Sequence, residues 1–207
     1  MRVLAFDLDG TLLTKNSSFA FCHYLCQQKH LSYFHLIYSA LWYSYYRHWS
    51  HSYYHLHKRI FDRLLRGQNL SFLKTEAKRF VEKHLKKMLY PPALRYLEEQ
   101  RKGQGRAVIL SCSPAFLVEP IANFLGVDET VSSIYTTDND GCLLDIAKVI
   151  DGKAKADYMH RYAYDETVAF SDSFDDLPFL EKASRAIVVR PDRKLRRFAR
   201  KNKWEML

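Results

Sequence analysis

Acidic side chains follow two segments that are predicted to be buried β-strands. Residues 3–6 form a short apolar run, typical of a parallel strand, and Asp7 and Asp9 come directly after it. A second apolar run at 167–170 is followed by three more acids: Asp172, Asp175 and Asp176. Carboxylates this close together are unfavourable unless a cation or separate chemical roles offset their charge. The spacing therefore indicates a site for a divalent cation and for acid–base chemistry.

A hydroxyl and a lysine extend this set of residues. The apolar run 107–110 ends at Ser111, and Lys153 begins a predicted helix that follows a hairpin at 131–146. Ligands of an open parallel sheet bind at the carboxyl ends of its strands. Carboxylates, a hydroxyl and an ammonium group at neighbouring strand ends can hold a hard cation together with a phosphoryl group.

Strands alternate with helices along much of the chain. The predicted strands lie at 3–6, 107–110, 167–170 and 186–189. The predicted helices cover parts of 17–64 and the segments 71–89, 92–102, 113–126, 153–162, 174–184 and 192–202, with Ser71 as the cap of the second. This alternation predicts an α/β fold with a doubly wound parallel sheet. The helical stretch between the first two strands is too long for an ordinary crossover and is interpreted as an insertion.

The composition limits the partners and the compartment. The 207 residues carry a formal net charge of +9, which suits anionic partners such as phosphates or acidic lipid surfaces. No nucleic-acid motif is present, so a nucleic-acid partner is not expected. Four cysteines do not make a disulfide framework, and the apolar run at the N-terminus is too short for a signal peptide. We therefore expect a cytoplasmic protein with reduced thiols.

Four segments together resemble the motifs of the haloacid dehalogenase superfamily. They are FDLDGTL (6–12), VILSCS (108–113), DGKAKA (151–156) and FSDSFDDLPFL (170–180). They are most similar to those of subfamily IB, which contains phosphoserine phosphatase-like hydrolases, and the resemblance covers residues 1–13 and about 105–207. It implies a Rossmann-like catalytic core at 1–14 and 92–207, with a helical cap inserted at 15–91.

The resemblance also implies an activity. The protein would be a phosphoric monoester hydrolase that requires Mg²⁺ and forms an aspartyl-phosphate, with the cap selecting the substrate. Asp7 would be the nucleophile, and Asp9 the general acid and then the general base. Lys153 would neutralise charge in the transition state.

The remaining motif residues are implied to bind the phosphoryl group or the metal. Phosphoryl oxygens would be bound by Thr11, Ser111 and Lys153. Mg²⁺ would be bound by Asp7, the backbone carbonyl of Asp9, and Asp172. Asp176 would orient Lys153 or a water on the metal, with Asp175 assisting.

Other activities are compatible with parts of this pattern. Family members that dehalogenate lack an acid at the position of Asp9, which argues against dehalogenation. A phosphotransferase or phosphomutase would use the same aspartyl-phosphate, and a non-catalytic membrane- or partner-binding module is the alternative from another class. Phosphoserine phosphatases carry an acid near the position of Asn16 to bind the substrate amine. This chain has no acid between Gly10 and Phe61, which disfavours phosphoserine.

The segment LWYSYYRHWSHSYYHLHK (41–58) concentrates tyrosine, tryptophan and histidine within the predicted cap. Without nearby acids its histidines make a poor metal site, and a helical cap is a poor base-stacking platform. Two interpretations stay open. The aromatic residues form the core of the cap and line a substrate pocket, or they lie at an anionic membrane surface.

The membrane interpretation depends on charge and length. The uncharged run 31–46 is too short to span a bilayer, and Arg47, Lys58 and Arg59 follow it. The protein would then be peripheral at the inner face of the membrane. Its substrate would be a lipid phosphate, as in phosphatidylglycerophosphate phosphatases.

Overall fold

One seven-stranded sheet forms the centre of the molecule. The computed structural model describes residues 2–46, 53–101, 105–127, 129–160 and 166–207. The strands are β1 (Arg2–Phe6), β2 (Arg106–Pro114), β3 (Glu129–Thr137), β4 (Leu143–Lys148), β5 (Glu166–Ser171), β6 (Arg185–Val188) and β7 (Glu205–Met206). Their order is β4-β3-β2-β1-β5-β6-β7, and every pair is parallel except the β3–β4 hairpin. The predicted α/β architecture and the predicted hairpin are both confirmed.

The sheet is covered by apolar side chains on both faces. In β1, Leu4 and Phe6 belong to one buried cluster, whereas Val3 and Ala5 belong to a second cluster on the opposite face. This division follows from the period of two in a strand. It explains why the strand reads as a continuous apolar run rather than as an alternating one.

The helices follow the predicted order, with shifted ends. They are α1 (Ser17–Gln27), α2 (Tyr33–Tyr45), α3 (Tyr53–Ile60), α4 (Leu70–His84), α5 (Pro91–Arg101), α6 (Ala115–Leu125), α7 (Gly152–His160), α8 (Leu177–Leu180) and α9 (Arg193–Lys201). The turn Phe61–Leu65 extends α3 and the turn Leu85–Met88 follows α4. The predicted cap at Ser71 is wrong, because the Asn69 side chain accepts the Phe72 N–H and starts α4 earlier.

Helices α1 to α4 are inserted between β1 and β2, as predicted. The chain segments that lead into and out of this insertion are hydrogen bonded to each other, Thr14 N–H to Met88 O at 2.7 Å and Tyr90 N–H to Leu12 O at 2.9 Å. The insertion shares its apolar core with the sheet, since residues of α1, α4 and α6 belong to the same buried cluster. The division into a core at 1–14 and 92–207 and a cap at 15–91 stays a prediction.

A second connection joins the insertion to the β3–β4 hairpin. Three backbone hydrogen bonds link residues 67–70 to residues 141–143, at 2.8–2.9 Å. Beside them, Lys58 Nζ donates to Asp145 Oδ1 at 2.6 Å. The inserted helices are therefore tied to the sheet at both their chain ends and their middle.

Candidate active site

The carboxyl ends of β1, β2 and β5 lie side by side. Because β1 pairs in parallel with both β2 and β5, residues that follow these strands reach the same edge of the sheet. Asp7, Ser111 and Asp172 line one cavity of about 240 Å³ at this edge. Polar groups far apart in sequence thus meet where the strand-end pattern predicts.

The buried ammonium group of Lys155 joins two of the carboxylates. Its Nζ donates to Asp7 Oδ1 at 2.6 Å and to Asp176 Oδ2 at 2.8 Å, and its side chain is only 2% exposed. The Ser171 hydroxyl donates to the same Asp176 oxygen at 2.7 Å. One lysine on α7 therefore fixes the loops that follow β1 and β5.

The structure does not bring Lys153 into the site, contrary to expectation. Lys153 is exposed, and the site contains Lys155 instead. Residues two positions apart in an α-helix are separated by about 200° around its axis, so the two side chains point in nearly opposite directions. Asp176, predicted to orient Lys153, contacts Lys155.

Negative charge exceeds positive charge in this buried cluster. Burial raises the pKa of Asp7 well above its usual range, and Asp176 and Asp172 add to the rise although Lys155 opposes it. Burial, then Asp176, raises the pKa of Asp172 to about 7. Burial alone would lower the pKa of Lys155, but Asp176 and Asp7 outweigh it, so the pKa is raised and the ammonium stays charged. Three carboxyl groups around one ammonium group give the cluster an excess of acidic groups that a second cation would offset.

The Asp9 carboxyl group faces the start of α1 and the end of β2. Its Oδ1 accepts the Ser17 N–H at 2.5 Å, and its Oδ2 accepts the Ser113 hydroxyl at 2.8 Å. Burial raises the pKa of Asp9, although these donors oppose the rise. The Ser111 hydroxyl accepts the Ser113 N–H at 3.1 Å and is 1% exposed.

The Thr11 hydroxyl lies between two carboxylates, 3.5 Å from Asp7 Oδ2 and 3.4 Å from Asp172 Oδ1. The loop can fold this tightly because Gly10 has a φ of +87°, and a Cβ there would overlap the Asp172 carboxylate. Thr11 is fully buried. Its predicted contact with a phosphoryl group stays a prediction.

Asp192 holds the loop that carries the acids after β5. Its Oδ2 accepts the Phe174 N–H at 2.8 Å while its Oδ1 caps α9 at Leu195. Its own N–H donates to the Asp172 carbonyl at 2.9 Å. Asp175 is exposed at the cavity wall, and its assisting role stays a prediction.

The sequence interpretation missed Lys155, Ser113 and Asp192. Lys155 lies within the quoted motif at 151–156, and the phase of α7 is the signal that distinguishes it from Lys153. Ser113 and Asp192 act through contacts with residues about 100 and 20 positions away, respectively, for which a single sequence carries no signal.

A comparison with protein-family models identifies the family. The model described as haloacid dehalogenase-like hydrolase matches residues 4–181. The chain belongs to this family. The predicted resemblance is confirmed, and the match includes all four quoted motifs.

Two curated relatives extend the comparison. A Streptomyces azureus protein named for inhibition of morphological differentiation is 32% identical over 151 residues, covering 70% of this chain and 54% of its own. A phosphoserine phosphatase of Mycobacterium tuberculosis is 30% identical over 126 residues, covering 54% and 39%. The chain thus spans about half or less of the length of these relatives.

A solved structure shares the fold of this chain over its full length. A Bordetella pertussis protein described as of unknown function superposes with a TM-score of 0.87. It is 19% identical, and the superposition covers 100% of this chain and 97% of the other. The match supports the α/β architecture of this chain.

The residues present fit a divalent cation, as the family implies. The carboxylates of Asp7 and Asp172 flank the Thr11 hydroxyl, and the excess negative charge favours a hard cation with oxygen ligands. Within the described parts of the chain, no three His, Cys, Asp or Glu side chains form a metal cage. The predicted ligand set of two carboxylates and one backbone carbonyl stays a prediction.

The aromatic segment is divided between the cavity and the surface. Tyr43 and His57 line the cavity, and burial lowers the pKa of His57 to about 4, so its imidazole is neutral at pH 7. By contrast α2 turns one apolar face outward, consisting of Phe34, Ile37, Leu41 and Tyr45, which are 48–66% exposed. Arg47, His48, Trp49 and His51 lie outside the described residues. Among the helices that are described, none is long and apolar enough to cross a bilayer.

Replacing Gly10 with alanine tests the packing of the first loop against Asp172. Gly67 is the matched control, because its φ is also positive (+79°) but no atom lies within 4 Å of its added Cβ. We expect Gly67→Ala to lower the free energy of unfolding by about 1–2 kcal/mol from backbone strain alone. Gly10→Ala should lower the free energy of unfolding by about 1–3 kcal/mol more than Gly67→Ala, because its Cβ overlaps the Asp172 carboxylate. Urea unfolding measures both, and equal losses would contradict the packing.

Proposed function

We propose that this protein is a Mg²⁺-dependent phosphatase that hydrolyses a phosphomonoester through an aspartyl-phosphate on Asp7. The supporting observation is the contact of the buried Asp7 carboxylate with Lys155, in a cavity that the Asp9 carboxyl group also lines. A nucleophile beside a fixed cation, with a second acid for proton transfer, meets the requirements of phosphoryl transfer. A relative named phosphoserine phosphatase supports the same reaction class.

In the first step, a carboxylate oxygen of Asp7 attacks phosphorus. Burial raises the pKa of Asp7, but Lys155 opposes the rise, and a bound Mg²⁺ would also favour the ionised form that this step needs. The new bond joins phosphorus to Asp7, and the bond between phosphorus and the alcohol oxygen breaks. Asp9, in its protonated form, gives its proton to the departing oxygen, so the alcohol leaves neutral. The raised pKa of Asp9 favours the protonated form that this step needs.

In the second step, water attacks the aspartyl-phosphate. Asp9, now ionised, takes a proton from the water, and the bond between phosphorus and Asp7 breaks to release inorganic phosphate. Asp7 returns as a carboxylate and Asp9 as an acid. The residues therefore end each cycle in their starting protonation states.

Lys155 and Ser111 complete the phosphoryl site. Lys155 is positively charged, buried and held at a fixed distance from Asp7, so it stabilises the negative charge that develops on the phosphoryl oxygens. Ser111 presents a buried hydroxyl to the same cavity. Asp7, the Asp9 carbonyl and Asp172 would bind Mg²⁺, which would supply further positive charge beside the phosphoryl group.

The cavity walls suggest a substrate without a positive charge. The lining that comes from residues 16–65 is mostly apolar and includes Phe21, Leu56, Ile60 and Leu64. Among the described lining residues of this region none is a carboxylate, so the ammonium group of phosphoserine would lack an acidic partner. A small phosphate ester with a neutral or apolar organic part fits better.

Replacing Asp7 tests the mechanism directly. We expect Asp7→Asn to reduce release of inorganic phosphate at least about 10³-fold because the amide is a poor nucleophile. Asp157→Asn, an exposed change on α7, is the control and should keep wild-type activity. The assay uses a panel of soluble phosphate esters, with and without EDTA followed by Mg²⁺. Transfer of the phosphoryl group to added alcohols instead of water would favour a phosphotransferase, and full activity of Asp7→Asn would refute the mechanism.

The two lysines of the third motif provide a second test. Lys155→Met should lower kcat at least about 10²-fold because a fixed charge beside the phosphoryl group is lost. Lys153→Met removes an exposed charge from the same helix and should change kcat less than about twofold. Thermal unfolding checks that both variants are folded. The opposite ranking would restore the role first expected for Lys153.

A lipid phosphate is the second candidate substrate class. The observation in its favour is the outward apolar face of α2, beside which Arg63 lies 5.9 Å from the Phe34 ring and Arg59 4.1 Å from the Trp42 ring. Apolar side chains flanked by guanidinium groups suit the interface of an anionic bilayer. In the alternative of a non-catalytic module, the same face of α2 would bind a membrane or a partner, and no reaction would occur in the cavity.

Liposome binding tests this candidate. We expect the protein to sediment with vesicles containing phosphatidylglycerol, and Ile37→Asn with Leu41→Asn to weaken the binding at least about tenfold through lost apolar contact. Leu144→Asn, an exposed leucine on β4, is the control and should bind as the wild type does. Absence of wild-type protein from the vesicle pellet would remove the support for lipid substrates.

A further inference from the structure

The Asp9 carboxyl group is held by donors that come from outside its own loop. One is the backbone N–H of Ser17 in α1, 2.5 Å from Oδ1. Another is the hydroxyl of Ser113 near the end of β2, 2.8 Å from Oδ2. The two oxygens of one carboxyl group are thus fixed by two separate parts of the fold.

The start of α1 supplies a donor that the helix itself does not use. Ser17 is the first residue of α1, and the N–H groups of a first helical turn have no partner within the helix. Asn16 caps the helix by accepting the Phe19 N–H, so the Ser17 N–H is left for Asp9. The positive end of the helix also favours a carboxylate at this place.

Ser113 is itself held in place by the start of α1. Its side chain is buried, and its oxygen lies 3.2 Å from the Ser17 hydroxyl and 2.8 Å from the Ser18 hydroxyl. A hydroxyl donates one hydrogen bond and can accept others, so Ser113 can donate to Asp9 while it accepts from a neighbouring serine. The Asp9 carboxyl group is therefore joined to α1 both directly and through Ser113.

We propose that Ser113 and the backbone N–H of Ser17 are positioning residues that aim the Asp9 carboxyl group at the leaving-group oxygen. The inference rests on the proposed function, in which Asp9 protonates the alcohol as its bond to phosphorus breaks. Because Ser17 belongs to the inserted helices, proton transfer depends on where those helices lie. Neither serine touches the reacting atoms in this account.

Leaving-group dependence distinguishes positioning of an acid from a general structural effect. An alkyl phosphate needs a proton as its alcohol leaves, whereas p-nitrophenyl phosphate releases a stable phenolate and needs the acid much less. We expect Ser113→Ala to lower kcat/KM about tenfold or more for an alkyl phosphate but less than about twofold for p-nitrophenyl phosphate. Ser113→Thr keeps the hydroxyl and should recover most of the loss. Ser39→Ala removes a buried hydroxyl in α2 and is the control.

A proline at position 17 removes the other donor. Proline suits the first position of a helix, and Asn16 already has the extended backbone that a following proline requires (φ −68°, ψ 122°). Ser17→Pro removes the hydroxyl and replaces the N–H by a Cδ methylene, which also displaces the Asp9 oxygen, whereas Ser17→Ala removes the hydroxyl alone. We expect the same leaving-group dependence from Ser17→Pro and a smaller one from Ser17→Ala. Circular dichroism establishes that each variant is folded.

The outcomes separate this inference from the proposed function. If the wild type hydrolyses both esters and Asp7→Asn hydrolyses neither, the proposed function stands. Equal losses for the two esters, or no loss, in both Ser113→Ala and Ser17→Pro would then overturn the positioning role alone. If the wild type hydrolyses neither ester, the proposed function is overturned and the inference with it.

Discussion

The buried ion pairs of Lys155 are the interaction on which the rest of the site depends. Through Asp7 and Asp176 this one ammonium group joins the loops after β1 and β5 to the start of α7. Removing one member of a buried ion pair costs about 3–5 kcal/mol, because the partner is left charged in a poorly solvated place. The lysine can approach so closely because position 152 has no side chain, and a Cβ there would overlap the Asp175 carbonyl. Electrostatics and close packing at one helix start therefore set the positions of the acids.

Strand direction made much of this site predictable. Asp7, Ser111, Asp172 and Asp176 were placed together from sequence because the residues that follow parallel strands must meet at one edge. Lys155 was not predicted. Its direction depends on the rotation of α7 about its axis, and the alternation of strands and helices carries no information about that rotation. Successive residues of an α-helix are rotated by about 100° around its axis. A prediction can therefore have the order of strands and helices right and still choose the wrong side chain.

The sequence predicted that the insertion is helical, but it did not predict how the inserted helices are oriented. Their apolar residues fall on several faces, and sequence periodicity alone did not show that α2 turns Phe34, Ile37 and Leu41 outward. The start of α4 was misplaced because Asn69 and Ser71 are both good caps, and the contacts of Asn69 with the β3–β4 hairpin are tertiary. The contact of Ser113 with Asp9 spans 104 positions and depends on the register of β1 and β2.

The backbone hydrogen bonds between residues 67–70 and 141–143 fix the β3–β4 hairpin to the inserted helices, which form one wall of the cavity. Any separation of the inserted helices from the sheet at this edge must break three main-chain hydrogen bonds, and water can replace each of them. Each such exchange changes the free energy by only about 0.5–1.5 kcal/mol, so most of the cost of separating the insertion from the sheet lies in the apolar core that they share. These hydrogen bonds join main-chain atoms, so most side-chain substitutions leave them unchanged. The backbone contact between the hairpin and the insertion can therefore survive changes in the side chains that line the cavity.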